Sequence, residues 1–408
     1  MGFISALGLS VSVVVSSLVA RNIGKKNFDD AKKTIGLALM ISMSMAVVIT
    51  VFGFMFSYQL VNLLGADSSY AQLAALYLRY SLLSVPALFF TNIFLAYKTA
   101  RGETMAVMMI AVIGVIVKVV LTILLVNTFD LGVLGLGLAT LISNLVKAFI
   151  GIFELFIRRS ETKVTLFDFK ISKIVYAPFV LMMLPIMFER TSLSFSHIIV
   201  NMFITPFEPS VIAAYGLTNK INTLIFMIGS AFGSALITIV AQNLAAGNLK
   251  KCKNAIWLSM GFGIVLSGLL LIIVYTLQTP IIRLFTTDAD TIRFTIEALN
   301  VFAHTALAWV IIQVTVGVFI ASGYTQYPII ISFLRLFIIR IPILWIFLRF
   351  TDLNEMSIWL GMMIANYAAA IISLVFLFTV KWENTPKYLM NQVKLEDQPL
   401  SAVGSNKN

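Results

Sequence analysis

Long apolar runs alternate with short clusters of charged, proline and glycine residues along the whole chain. A helix that crosses a bilayer needs about 20 predominantly apolar residues. Eleven runs reach that length: about 1–20, 34–57, 73–97, 105–127, 133–156, 174–203, 211–241, 255–276, 291–320, 328–348 and 356–380. The run 291–320 is interrupted by polar Asn300 and His304, which at i and i+4 share one face of a continuous helix. The runs lack the polar–apolar alternation of barrel strands, so the pattern predicts an all-α integral membrane bundle.

Composition sharpens this picture. The 408 residues are 60% hydrophobic and 12% charged, about half the charged fraction of a soluble domain. The excess apolar surface is expected to face lipid. The lone cysteine, Cys252, excludes an intrachain disulfide and a cysteine-based metal cluster. Residues 2–20 could pass for a signal peptide ending at Ala20, but they lack a basic leading segment and their pattern recurs later in the chain.

The net charge of +11 is not spread evenly. The loops after the first, third, fifth and seventh runs carry Arg21, Lys25, Lys26, Lys32 and Lys33; Lys98 and Arg101; Arg158, Arg159, Lys163, Lys170 and Lys173; and Lys250, Lys251 and Lys253. The tail adds Lys381, Lys387, Lys394 and Lys407, whereas the opposite loops hold Arg283 and Arg349. Basic loops stay in the cytoplasm. The charge therefore reads as a topology signal rather than a nucleic-acid surface. It places the basic loops and the C-terminus in the cytoplasm.

A second pattern lies under the first. Sliding the chain by 221 positions sets Gly8 on Gly229, Asn22 on Asn243, Asn27 on Asn248, Lys32 on Lys253 and Asp67 on Asp288. Without a gap, Ala100-Arg101-Gly102 then meets Ala321-Ser322-Gly323. Copies six helices apart share one orientation, so they are expected as pseudo-symmetric lobes related by an axis along the membrane normal, with substrate held between them. The expected division is 1–157 as an N-terminal lobe of five helices, 158–173 as a cytoplasmic linker, 174–380 as a C-terminal lobe of six, and 381–408 as a mostly disordered cytoplasmic tail. The second copy has two helices before its basic turn and the first has one. The repeat therefore leads to the expectation of a twelve-helix plan lacking its first helix in this chain.

The ordered set of motifs resembles the multidrug and toxic compound extrusion (MATE) family, bacterial type. It comprises Ala213-Ala214-Tyr215-Gly216 leading to Val240-Ala241-Gln242-Asn243 and Ala246-Gly247-Asn248; Leu131-Gly132-Val133-Leu134-Gly135; and Ala321-Ser322-Gly323 through Arg335 to Arg340-Ile341-Pro342. The resemblance implies two six-helix lobes around a central cavity, antiporting organic cations against H⁺ or Na⁺ by alternating access. It also implies a monomer without cofactors. This sequence departs from the family in two places. The helix that in many members carries a coupling carboxylate is missing, and Lys118 and Thr122 stand where the family often has Asn and Asp.

Charged residues within a membrane are costly enough to mark function. Glu189 is the carboxylate near the middle of a run, and Ser192 and Ser196 share its face, with His197 beside it. This set is the candidate site for H⁺, Na⁺ or cationic substrate, with a structural ion pair to Arg190, Lys118 or Arg340 as the competing role. Asn219, Asn222, His304 and Gln313 are further binding candidates. Lys118, Arg190, Arg335 and Arg340 are intramembrane cations for bracing or substrate contact, whereas Arg79, Lys147 and Arg293 are close enough to helix ends to snorkel. A flippase for lipid-linked saccharides is the alternative function, because its pyrophosphate cargo needs such cations. A non-transporting remnant is another. No acid/base pair, nucleophile elbow or phosphate loop suggests an enzyme.

Overall fold

Each apolar run folds as a helix or as helices joined at a break, because lipid offers no partner for free backbone N–H and C=O groups. The computed structural model describes residues 2–63, 68–157, 165, 173–384, 386 and 388–389, and every regular element among them is helical. The chain-order elements are α1 (Gly2–Gly24), α2 (Phe28–Met55), α3 (Ser57–Leu63), α4 (Ser68–Leu83), α5 (Val85–Ala100), α6 (Thr104–Ile123), α7 (Gly132–Ile152) and α8 (Lys173–Ile204). They continue with α9 (Pro209–Ala245), α10 (Leu249–Thr276), α11 (Gln278–Arg283), α12 (Ala289–Phe302), α13 (Thr305–Ser322), α14 (Gln326–Phe333), α15 (Ile341–Phe350) and α16 (Met356–Thr379).

Nine described helical spans are long and apolar enough to cross a membrane, and the pair α4–α5 makes a tenth across a 42° bend. The bend falls at Ser84, where Pro86 opens α5; proline has no N–H to continue the preceding helix. The remaining run, 174–203, is one unbroken helix, α8, whose apolar character is diluted by Glu189, Arg190, Ser192, Ser196 and His197. One expectation needs correction. Asn300 and His304 do not share a continuous face, since α12 ends at Phe302 and His304 caps α13.

The chain divides into two compact units, Met1–Met183 and Leu184–Asn408. The expected linker lies outside the described residues except at 165 and 173, as do Asp67 and most of the tail, including Lys387, Lys394 and Lys407.

The 221-residue repeat reappears in local geometry. In the first unit Gly8 of α1 lies so close to α5 that a Cβ there would sit 2.7 Å from the Phe89 ring. In the second, a Cβ on Gly229 of α9 would sit 3.1 Å from Val310 Cα on α13, and Val310 is the counterpart of Phe89. The basic turns match as well: Asn27 N–H donates to Asn22 O at 2.9 Å and Asn248 N–H to Asn243 O at 2.7 Å. Lys26 (φ 60°) occupies the left-handed position that Gly247 (φ 77°) fills in the second copy.

In the second unit α9 crosses α13 at backbone contact. A Cβ on Gly233 would fall 2.5 Å from Gln313 O, and one on Gly317 would fall 2.4 Å from Gly233 O. Small residues at such a crossing let backbones approach in lipid, where no hydrophobic force drives helices together. This contact fixes which residues of α13 face α9. Beside it a core of Val200, Ile204, Tyr215, Phe302, Leu344, Trp359 and Met362 joins α8, α9, α12, α15 and α16, with Tyr215 and Trp359 stacked at 6.2 Å.

Candidate functional site

The second unit holds a partly open cavity of about 290 Å³ among α8, α9, α13, α16 and the segment Leu334–Arg340. Its polar wall holds Ser196, Asn219, Asn222, Arg335, Arg340 and Asn366. Its apolar wall includes Phe226, Phe302, Trp309 and Met362.

Arg335 and Arg340 reach one wall because of a local irregularity. Residues five apart on an α-helix point about 140° away from each other. Leu334–Arg340 is a π-helical segment, and its i→i+5 bonding widens the turn and brings residues five apart back to one side. Pro342 follows at once and cannot supply the N–H that a regular turn would need. Both arginines are buried.

Each polar group has identifiable supports. Arg340 Nη2 donates to Asn366 Oδ1 at 3.1 Å, and Asn366 Nδ2 donates to Thr305 Oγ1 at 3.1 Å. The Arg335 guanidinium lies 4.8 Å from the centre of the Trp309 ring, a favourable cation–π distance. Trp309 Nε1 donates to Ser230 Oγ at 3.2 Å, and Gln313 Nε2 reaches the same hydroxyl at 3.4 Å. The α9–α13 crossing sets this trio.

The expected stripe on α8 divides in two. Ser196 and His197 line the cavity, whereas Glu189 lies outside that wall. Glu189 is 6% exposed, accepts a hydrogen bond from Ser332 Oγ at 3.2 Å and faces Arg190 Nε at 3.3 Å. Arg190, one of the ion-pair partners expected for it, is in contact. Ser192 turns its hydroxyl to Phe188 O of its own helix at 2.8 Å. His304 Nδ1 pairs with Tyr367 OH at 2.9 Å away from the cavity wall.

The first unit differs. Lys118 is exposed on α6, and Lys147 lies well inside α7, where its stem covers Gly114. Lys98 bonds Glu103 at 2.7 Å and also contacts Glu154. A shallow apolar groove is lined by Leu39, Met40, Met43, Ser44, Phe90 and Phe156.

Known proteins share both sequence and fold with this chain. The probable multidrug resistance protein YoeA of Bacillus subtilis is 22% identical over 378 residues, covering 90% of this chain and 81% of its own length. The multidrug export protein MepA of Staphylococcus aureus is 24% identical over 377 residues, covering 92% and 82% respectively. A crystal structure of MATE in complex with MaL6 superposes with a TM-score of 0.87 at 22% identity, over 97% of this chain and 87% of that one. The MatE family model matches residues 1–124 and 185–346, more than half of the chain and parts of both units. The chain is a multi-pass membrane protein of the MatE family.

Proposed function

We propose that the protein is a secondary active exporter, moving small organic molecules out of the cell against H⁺ or Na⁺ by alternating access of its two lobes. Two of its relatives are named for multidrug resistance or export. The observation that carries the reading is the second-unit cavity, which joins buried polar groups to an apolar, aromatic wall within membrane-spanning helices. Sites for small organic ligands have this mixture.

Glu189 is the coupling residue in this scheme. A buried carboxylate can hold a proton or Na⁺, and its Arg190 and Ser332 contacts supply an alternative set of partners when the ion leaves. Basic loops and tail lie in the cytoplasm of a bacterial plasma membrane, and the working unit is a monomer. Organic cations, expected from the family resemblance, would meet Arg335 and Arg340 in this cavity, so a cationic cargo would need another site. The same two arginines favour a second reading, a flippase for lipid-linked saccharides, whose pyrophosphate head needs cationic partners.

Accumulation of dyes in an efflux-deficient bacterial host tests the choice. An exporter lowers the accumulation of at least one soluble dye, and collapse of the ion gradients restores it. No change for any dye, with the protein present in the membrane, would remove the exporter reading.

A further inference from the structure

Arg335 and Arg340 are 3% and 7% exposed and line the same cavity. Among the described residues neither has a carboxylate within 4.0 Å. Glu189 lies outside this wall and is held at 3.3 Å by Arg190. The wall itself holds two guanidinium groups and an imidazole, His197, and no carboxylate among its lining residues. The balance over the cavity is positive.

The hydrogen-bonding capacity is also incompletely used. Among the described residues, Arg335 Nε, Arg340 Nε, both amide atoms of Asn222 and the hydroxyl of Ser196 are buried without a hydrogen-bond partner. Asn222 and Ser196 are each 1% exposed and both line the cavity. A buried guanidinium is costly unless an opposite charge compensates it, and unpaired buried donors add to that cost. Planar guanidinium groups match carboxylate, sulfonate and phosphate oxygens through paired N–H bonds. The rest of the wall, Phe226, Phe302, Trp309 and Met362, suits an aromatic or aliphatic body.

We propose that this cavity is a binding site for amphipathic organic anions, with the acidic head between Arg335 and Arg340 and the apolar body against Phe226 and Trp309. The proposal rests on reading the cavity as the cargo site of an exporter, and it names the charge of that cargo. Asn222 and Ser196 supply further donors to the head.

Three dansyl probes with one fluorophore and different charge provide the test: dansylglycine (anion), dansylamide (neutral) and dansylcadaverine (cation). Each is titrated into the purified full chain in phosphatidylcholine nanodiscs. Dansylglycine is expected to bind at least about tenfold more tightly than dansylcadaverine, a difference of one charge-assisted contact. Arg335→Gln and Arg340→Gln should each erase most of that preference, and Arg340→Lys should erase less. Equal or tighter binding of dansylcadaverine to the unaltered protein would overturn the proposal, and this arm needs no variant to fold. Anion-selective binding without energised dye efflux would support the site and sink the exporter reading. Energised efflux of cationic dyes without anion binding would do the reverse.

Discussion

Asn366 ties Arg340 to α13 with two side-chain bonds of 3.1 Å, one to each neighbour, while itself 1% exposed. Its bond to a guanidinium is charge-assisted, worth about 1.5–3 kcal/mol, whereas a neutral interhelical bond in a membrane averages about 0.6. The Arg340 arm should therefore dominate. Asn366→Leu is expected to cost about 2–3 kcal/mol in thermal unfolding of the solubilised protein, and Thr305→Val about 1 kcal/mol or less. Equal losses would mean that the two bonds are not ranked by charge. At this scale the sequence revealed the charges but not their company. Arg335, Arg340, Ser196, Asn219 and Asn222 were readable as polar residues in apolar runs, and the cavity unites them. Asn366, Trp309 and Ser230 gave no warning, because one polar or aromatic side chain in a long apolar run has no periodicity. The shared face of Arg335 and Arg340 depends on a π-helical turn, which 3.6-residue periodicity hides.

The crossing of α9 and α13 determines whether those residues meet. Gly229 and Gly233 are four apart on α9, a small-residue spacing that the sequence displays and that could have pointed to the contact. Gly233→Ala would place its Cβ 2.5 Å from a backbone oxygen, Gln313 O, which cannot swing away. It should destabilise the protein by about 1–3 kcal/mol, the range for overpacking. Gly268→Ala on α10 meets nothing within 4 Å; it should be neutral or stabilising by up to about 1 kcal/mol through helix propensity. Thermal unfolding of the two variants side by side checks the pair, and a neutral Gly233→Ala would contradict the close crossing. Element existence was legible throughout, since lipid demands long apolar helices. The breaks were less so. Pro86 announces the bend before α5, but the division between α12 and α13 at Ala303–His304 has no proline or glycine to mark it.

Across the whole molecule the 221-residue repeat was the strongest signal in the sequence, and matching turns and glycine contacts recur within each unit. The copies have diverged in their chemistry. Lys118 of the first unit is exposed, whereas Arg335 and Arg340 of the second are buried in a polar cavity next to α8. An exporter built this way should depend on Glu189 for coupling rather than for folding. Purified protein in liposomes loaded with a transported dye, with H⁺ or Na⁺ gradients imposed separately, measures this directly. One gradient is expected to drive dye movement at least about tenfold above the ungraded rate, and Glu189→Gln should abolish that acceleration while leaving the unfolding temperature within a few degrees of the parent. Gradient-driven transport that persists unchanged in Glu189→Gln would contradict the account.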